Sequence, residues 1–225
     1  MCGRFTAEYT WEQLWLLYML PGGVQLNLRP RYNICPTTDV DTIVAGERGR
    51  TLARMRWGLI PAWWSKPLKD MRLATFNARA ETVAEKPMFR DAFIKRRCLM
   101  PASGYYEWHD TPNGKQPYYF TRRDGEVMTI AALWSEWKDT STSDGLKSCA
   151  MVVTEPNQLV AEAHDRMPVV LETEDFEQWE QGDVKDAAAL MKPAGEGVLQ
   201  TWPVSKRVNS SRADDDDATL IESIG

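Results

Sequence analysis

The second residue of the chain, Cys2, has the functional groups for covalent chemistry at the N-terminus. Methionine is normally trimmed when the next residue is small, and removal of Met1 would leave an α-amine and a thiol on adjacent carbons. Their ordinary pKa values are near ~8 and ~8.5, so both groups are partly nucleophilic at neutral pH. The amine would condense with an aldehyde to an imine, and the thiol would then close a thiazolidine that protects this carbon from hydrolysis. Taken alone, Cys2 is better interpreted as part of a frayed terminus.

The other cysteines and the histidines do not predict a metal or cofactor site. Cys35, Cys98 and Cys149 follow Cys2 at wide intervals, there is no C-x-x-C pair, and the chain has 2 histidines. A structural zinc site needs closely spaced ligand pairs, so none is expected. Cys98 and Cys149 lie in apolar runs, which favours buried small residues. We expect free thiols, as in a reducing compartment.

The composition is typical of a one-domain globular protein, with 225 residues, 43% hydrophobic and 26% charged. No apolar run approaches the ~18 residues of a membrane span, and no signal peptide follows Met1, so we expect a cytoplasmic monomer without membrane contact. The net charge of −5 is uneven, because residues 1–110 hold 16 Lys/Arg against 11 Asp/Glu. This half of the chain could form a basic surface for nucleic acid.

Seven short motifs occur along the chain in a fixed order. They are Met1-Cys2-Gly3-Arg4-Phe5, Arg31-Tyr32-Asn33, Trp57-Gly58-Leu59-Ile60-Pro61, Asn77-Ala78-Arg79-Ala80-Glu81-Thr82, Gly104-Tyr105-Tyr106-Glu107-Trp108, Ala131-Ala132-Leu133-Trp134 and His164-Asp165-Arg166-Met167-Pro168. In residue type and order the chain resembles the SOS-response-associated peptidase (SRAP) family from Cys2 to about Asn209. This predicts one SRAP-like domain at residues 1–209. The acidic composition of residues 210–225 predicts a disordered tail.

The resemblance implies a mechanism. In that family the mature N-terminal cysteine bonds covalently to the ring-opened aldehyde of an abasic deoxyribose in single-stranded DNA. Cys2 would then be the nucleophile, and Asn77, Glu107 and His164 match the other active-site positions. Opening the hemiacetal moves a proton at the sugar oxygen, which suits a carboxylic acid of raised pKa such as Glu107. His164 or Glu107 could accept the proton of the α-amine, and Asn77 could orient the terminus or the sugar.

Each of these three residues also has an ordinary structural interpretation. Glu107 could lie on the solvent face of an alternating strand, which is the commoner position for such a residue. His164 could cap the C-terminal end of a helix, and Asn77 could be a turn residue. His109, beside Asp110 and a turn, is expected to be exposed and without a role.

Arginines in the same motifs predict how DNA would be bound. Arg4, Arg79 and Arg166 are expected to contact phosphates, which favour guanidinium groups. Arg79 and Arg166 match family positions that contact DNA, and Thr154 is expected to give a backbone contact. The partner is therefore single-stranded DNA containing abasic sites, with nucleoid association when the protein is bound.

The pair Trp63-Trp64 resembles a wedge with which the family stacks at a strand junction. About ten residues between this pair and Asn77 depart from the family pattern. A second departure is Cys35, in a position where family members often have alanine before proline. We expect no catalytic role for Cys35.

Two other classes of function use the same residues. A hydrolase with an N-terminal nucleophile, either a peptidase or a glutamine amidohydrolase, would use the α-amine of Cys2 as general base for its thiol, and self-removal of Met1 would be its simplest activity. The amidotransferase resemblance ends at Gly3, whereas the SRAP motifs continue to about Asn209. A non-covalent single-strand binder would leave Glu107 and His164 without a role. Covalent capture of abasic sites is therefore the leading hypothesis.

The elements that must position these residues are mostly short strands. A helix is predicted over Thr10–Leu20, with Thr10 as its cap and Gln13 as the third residue of a capping box. Further helices are predicted over 87–97 and 156–164, with two more within 174–192. Strands are predicted over 41–45, 51–57, 76–81, 98–102, 105–108, 117–122, 127–134, 148–154 and 198–204, with loops over 58–69 and 138–147. This order predicts a single α+β domain with a largely antiparallel, barrel-like sheet and surrounding short helices.

Overall fold

Most of the regular secondary structure is β-strand, because the apolar runs of the chain are short, rich in β-branched and aromatic residues, and separated by turn residues. A computed structural model describes residues 2–22, 25–138 and 145–225. The strands are β1 (Phe5–Ala7), β2 (Arg31–Ile34), β3 (Asp39–Gly46), β4 (Gly49–Trp57), β5 (Asn77–Arg79), β6 (Arg97–Ala102), β7 (Gly104–Thr111), β8 (Gly114–Arg122), β9 (Met128–Lys138), β10 (Gly145–Thr154), β11 (Met167–Pro168), β12 (Val170–Leu171) and β13 (Leu199–Pro203).

Five of these strands close into a barrel. The order is β10, β4, β3, β6 and β9, and β9 pairs again with β10. Ile43 of β3 pairs with Leu99 of β6, which in turn pairs with Ala131 of β9, and all three side chains are fully buried. β6, the first part of β9 (Met128–Leu133) and the last part of β10 (Ser148–Thr154) are buried on both faces, which explains why these stretches are mostly apolar in sequence.

A second sheet carries the N-terminal segment of the chain. It has five antiparallel strands in the order β13, β8, β7, β1 and β2. Phe5 of β1 lies between Ile34 of β2 and Tyr105 of β7. The sequence analysis missed β1 and β2, because strands of 3 and 4 residues are too short to show a periodic pattern. The position of β1 brings residues 2–4 beside β7.

The helices are short and lie around the sheets: α1 (Trp11–Tyr18), α2 (Arg90–Lys95), α3 (Gln158–Ala161), α4 (Phe176–Gln181) and α5 (Val184–Ala189). The predicted capping box of α1 is confirmed, since Thr10 Oγ1 accepts from the Gln13 amide at 3.2 Å and Gln13 Oε1 accepts from the Thr10 amide at 2.8 Å. The helices predicted over 87–97 and 156–164 are shorter than expected. Residues 87–89 form a turn that precedes α2.

The connecting segments agree partly with the predictions. The extended segment expected over residues 76–81 is β5, which runs parallel to β10. The loop expected over residues 58–69 is irregular except for a single 3-10 turn, Leu68–Asp70. Of the loop expected over residues 138–147, Lys138 ends β9 and Gly145 begins β10, while residues 139–144 lie outside the described residues.

The disorder expected for residues 210–225 is not what the structure has. Asp215 is bonded to the N-terminal half, with its backbone oxygen 2.5 Å from the Tyr32 amide and its carboxylate 2.8 Å from Arg31 Nε. Leu220 is fully buried in a small cluster with Tyr32 and Tyr106. The acidic composition was misleading because Asp215 and Asp217 have arginine partners in the fold, and because Leu220 packs in an apolar cluster.

The prediction of a single α+β domain with a largely antiparallel sheet and barrel-like core is confirmed. The pairings of β10 with β4 and with β5 are parallel, and the other pairings of named strands in the described residues are antiparallel. Within the described parts of the chain, no helix is long and apolar enough to cross a membrane.

Candidate active site

Cys2 lies at the junction of the two sheets. Its side chain is fully buried, and Sγ lies 3.9 Å from the backbone oxygen of Arg4. Burial, together with the nearby charge of Glu107, raises the pKa of the Cys2 thiol well above its usual value. The thiol is therefore protonated at neutral pH and needs a base or a proton relay before it can react.

Asn77 fixes the backbone of Cys2. It is the first residue of β5 and pairs with Met151 of β10, so it is a strand residue and not a turn residue. Its Nδ2 donates to the backbone oxygen of Cys2 at 2.7 Å. Its Oδ1 is buried and has no hydrogen-bond partner among the described residues. A buried acceptor in this state is suited to a donor that arrives with a ligand.

Glu107 is the fourth residue of β7, and 1% of it is exposed. It therefore does not lie on a solvent face, which was its ordinary interpretation. Burial raises the pKa of Glu107 to about 8, because the low dielectric of its surroundings disfavours the carboxylate. At neutral pH the carboxyl is mostly protonated and can act as an acid.

His164 faces Glu107 from the segment after α3. Its Nε2 lies 3.6 Å from Glu107 Oε2, and its Nδ1 accepts the Arg166 amide at 3.0 Å. Burial lowers the pKa of His164, so the ring is neutral at neutral pH. Because Nδ1 accepts a hydrogen bond, the proton of the neutral ring is on Nε2, towards Glu107. Asp165 Oδ1 is 3.1 Å from Nδ1 and would pair with it only if the ring were protonated.

His164 also closes the end of α3, as its ordinary interpretation expected. Its backbone amide donates to the oxygen of Val160 at 2.8 Å. The two roles are compatible, because one uses the backbone and the other the imidazole. Glu107, which is buried, and His164, which is half-buried, thus form a pair in which both partners are neutral at neutral pH.

Arg79, Arg166 and Thr154 meet at the C-terminal end of β10. Val153 pairs with Arg79, and Thr154 pairs with Met167, the residue after Arg166. Arg79 is exposed, whereas Thr154 is buried and its hydroxyl lies 3.4 Å from the backbone oxygen of Met191. This end of β10 presents Arg79 to solvent, with the half-buried Arg166 next to His164.

Arg166 is held by Glu81, which the sequence analysis did not single out. Its Nη1 forms an ion pair with Glu81 Oε1. Partial burial opposes ionisation of Glu81, but hydrogen bonds from its own backbone and from Arg166 lower the pKa of this carboxyl below its usual value. Glu81 directly follows the segment of Asn77 and Arg79, so one stretch of chain fixes Cys2 and orients both arginines.

Arg4 has a different environment from the other two arginines. It is 9% exposed, and its Nη1 donates to Asn33 Oδ1 and to the backbone oxygen of Val208, the latter at 2.8 Å. Its guanidinium also lies 5.9 Å from the ring centre of Trp108. The structure therefore places Arg4 inside the protein, where it joins β1, β2 and the C-terminal segment.

Trp63 and Trp64 lie on the loop after β4. Trp63 is 51% exposed, and the two ring centres are 6.4 Å apart. The Trp63 indole donates to the Pro87 oxygen at 3.2 Å, and the Trp64 oxygen accepts from Trp137 at 2.6 Å. The loop is thus anchored to the barrel, and Trp63 is available for stacking. No contact joins this pair to Cys2 among the described residues.

One further residue near Cys2 was missed by sequence reasoning. Tyr105 is fully buried, and its hydroxyl has no hydrogen-bond partner among the described residues. Burial, followed by the charges of Cys2 and Glu107, raises the pKa of this phenol. The signal was present, since Tyr105 lies in the same motif as Glu107, but two adjacent tyrosines in a strand are ordinarily interpreted as core.

Known proteins match the chain over most of its length. The family model described as SOS response associated peptidase (SRAP) matches residues 1–211. Abasic site processing protein YoqW of Bacillus subtilis is 34% identical over 233 residues, covering 99% of this chain and 100% of that protein. Abasic site processing protein YedK of Escherichia coli is 30% identical over 220 residues, covering 93% and 95%.

Solved structures agree with the fold. A crystal structure of a Bacteroides thetaiotaomicron protein superimposes with a TM-score of 0.88 at 24% identity, covering 99% of both chains. At that identity the likeness concerns the fold alone. The sequence relatives and the family model are decisive, and the chain belongs to the SRAP family.

Proposed function

We propose that the protein processes abasic sites by capturing them covalently in single-stranded DNA, through the amine and thiol of Cys2 after Met1 has been removed. The observation that carries the proposal is the hydrogen bond of 2.7 Å from Asn77 to the backbone oxygen of Cys2, beside the pair formed by the buried Glu107 and the half-buried His164. Relatives that share about a third of its sequence are named abasic site processing proteins.

The chemistry balances without a cofactor. The amine lone pair attacks the aldehyde carbon of the ring-opened deoxyribose, and loss of one water leaves an imine. The thiol sulfur then adds to the imine carbon and the thiol proton passes to nitrogen, which closes the thiazolidine. Glu107, protonated at neutral pH, can supply the proton that opens the hemiacetal and removes water.

The neutral imidazole of His164 is suited to the opposite proton transfer, in which it accepts a proton. Burial lowers its pKa, so at neutral pH the ring is a base, and the α-amine must lose its proton before it attacks. Once Glu107 has given its own proton to the sugar oxygen, its carboxylate can take up the proton from the His164 ring, because Oε2 lies 3.6 Å from Nε2. This transfer would return Glu107 to its protonated form and His164 to its neutral form.

A hydrolase with an N-terminal nucleophile remains the alternative, and self-removal of Met1 belongs to it. Such an enzyme needs a reactive thiolate, whereas burial raises the pKa of the Cys2 thiol. Attack by an amine, followed by ring closure of a thiol that is still protonated, fits this environment better. That the protein is a cytoplasmic monomer that joins the nucleoid when bound to DNA stays a prediction.

DNA would be held by the exposed cationic end of β10. Arg79 and Arg166 lie at the same end of β10. Contacts between their guanidinium groups and phosphates would position the DNA strand without reading its bases. Arg4 would act indirectly, because its guanidinium is bonded within the protein. Trp63 is exposed enough to stack on a base at a strand junction.

The first test concerns the covalent residue. Protein without Met1 is expected to give a shifted band with abasic single-stranded DNA on denaturing gels, and Cys2→Ala is expected to abolish it. Cys35→Ala is a matched control, because Cys35 is a partly exposed cysteine that should leave the band unchanged. A full band from Cys2→Ala, or from protein that retains Met1, would contradict the proposal.

The second test uses the titration of Glu107. Its pKa is raised to about 8, so the acid form is present below that pH and is lost as the pH rises through it. The wild-type crosslinking rate should rise as the amine deprotonates and then fall above about pH 8. Glu107→Gln is expected to lose the falling limb and to react roughly 10²–10⁴ times more slowly, at unchanged affinity for undamaged DNA. A variant with the wild-type rate and profile would show that the carboxyl is only structural.

The third test concerns the phosphate contacts. Arg79→Ala should weaken binding to undamaged single strands of any sequence and make the salt slope shallower by about 0.7, the share of one phosphate. Arg48→Ala removes the same charge from the exposed turn between β3 and β4, so its salt slope should stay that of wild type. Equal slopes for Arg79→Ala and wild type would argue against a phosphate contact.

A further inference from the structure

Tyr105 differs from the other buried tyrosines of the described residues. The hydroxyls of Tyr9, Tyr18, Tyr32, Tyr106 and Tyr119 each have a hydrogen-bond partner in the protein. The hydroxyl of Tyr105 is buried and has none among the described residues. A buried hydroxyl without a partner destabilises a fold, so a position that retains one is a candidate for binding something else.

The position of this hydroxyl is fixed by packing. The Tyr105 ring stacks on Phe120 with ring centres 5.1 Å apart and an interplanar angle of 12°. The backbone of Tyr105 pairs with Phe5 in the strand that follows Cys2. Because the Tyr105 ring is packed on one face and the Tyr105 backbone is fixed by strand pairing, the side chain has little freedom to turn its hydroxyl towards a protein acceptor.

The neighbours of the hydroxyl belong to the reaction site. The charges that act on it are those of Cys2 and Glu107, and after burial they are the causes that raise its pKa. Glu107 is two residues further along β7, so its side chain lies on the same face of the strand as that of Tyr105. The phenol keeps its proton at neutral pH and is a hydrogen-bond donor there.

A second buried group without a partner lies at the same place. Asn77 Oδ1 has no hydrogen-bond partner among the described residues, while Nδ2 of the same amide holds the backbone of Cys2. The bond to a carbonyl identifies that atom as nitrogen, so the remaining atom is an acceptor. The Tyr105 hydroxyl, a donor, and Asn77 Oδ1, an acceptor, are therefore two groups near Cys2 without hydrogen-bond partners among the described residues. Together they are complementary to a sugar hydroxyl, which can both accept and donate a hydrogen bond.

We propose that Tyr105 is a further catalytic residue, whose hydroxyl donates a hydrogen bond to the deoxyribose oxygen attached to the carbon that Cys2 attacks. The assignment rests on the proposed function. Negative charge develops on this oxygen when the amine adds, and a fixed donor in a site shielded from water stabilises that charge. Glu107 supplies the proton that this oxygen takes up, and the Tyr105 hydroxyl keeps its own proton.

The test is Tyr105→Phe, measured as the crosslinking rate at saturating abasic single-stranded DNA together with the midpoint of urea unfolding. Loss of one such donor is expected to slow the reaction by roughly 10²-fold. Because the hydroxyl has no protein partner to lose, the unfolding midpoint should equal or exceed that of wild type.

Tyr18→Phe is the matched control. Its hydroxyl is equally buried but lies 2.8 Å from Thr129 Oγ1, so removing it should lower the unfolding midpoint and leave the crosslinking rate unchanged. Two results would overturn the role of Tyr105: a wild-type crosslinking rate in Tyr105→Phe, or a slower rate with an unfolding midpoint as low as that of Tyr18→Phe. Failure of the wild type itself to crosslink would instead contradict the proposed function.

Discussion

The hydrogen bond from Asn77 Nδ2 to the backbone oxygen of Cys2, at 2.7 Å, joins the two structural halves of the site. Asn77 belongs to β5, which is fixed to the barrel through β10, whereas Cys2 precedes β1 of the second sheet. Without this bond the N-terminal residue would end a short strand that pairs with β2 and β7 of the second sheet. With it, a terminal segment that ordinarily frays is a rigid part of the interior.

Burial sets the chemistry of the groups around that bond. It raises the pKa of Cys2 and of Glu107 and lowers that of His164, so all three favour their neutral forms. A neutral acid and a neutral base side by side suit a reaction that needs proton transfer in both directions. Two arginines lie at the end of β10: Arg79 is exposed, and Arg166 is half-buried. Glu81 holds Arg166, and the backbone of Arg166 in turn orients His164. The proposed phosphate contact and the proposed proton transfer would therefore share one short segment of chain.

The sequence predicted the fold class, most strands and the capping box of α1, because these depend on local apolar patterns and on a local cap. It did not predict β1 or β2, which are too short for a pattern. β1 forms because β7 lies beside it, and β2 forms by pairing with β1. It also predicted a disordered tail. The prediction rested on the number of aspartates in the tail, and composition does not show that Arg31 lies opposite Asp215 in the fold.

For the site, motif order singled out Cys2, Asn77, Glu107 and His164, and the structure brings these residues together. The environment of each side chain could not be predicted. Arg4 and Arg79 look alike in sequence, but one is buried among protein acceptors and the other is exposed. The unpartnered hydroxyl of Tyr105 is likewise a property of the packed state, since its neighbour Tyr106 has the same residue type and a partner at 2.8 Å.

The central claim is that the amine and the thiol of Cys2 bond to one carbon of the abasic sugar. The most direct measurement is the NMR spectrum of the adduct between ¹⁵N-labelled protein lacking Met1 and a single strand carrying ¹³C at the aldehyde carbon of its abasic site. The account predicts a tetrahedral carbon with a one-bond coupling to the α-nitrogen of Cys2. A trigonal imine carbon, or a tetrahedral carbon without coupling to nitrogen, would contradict it.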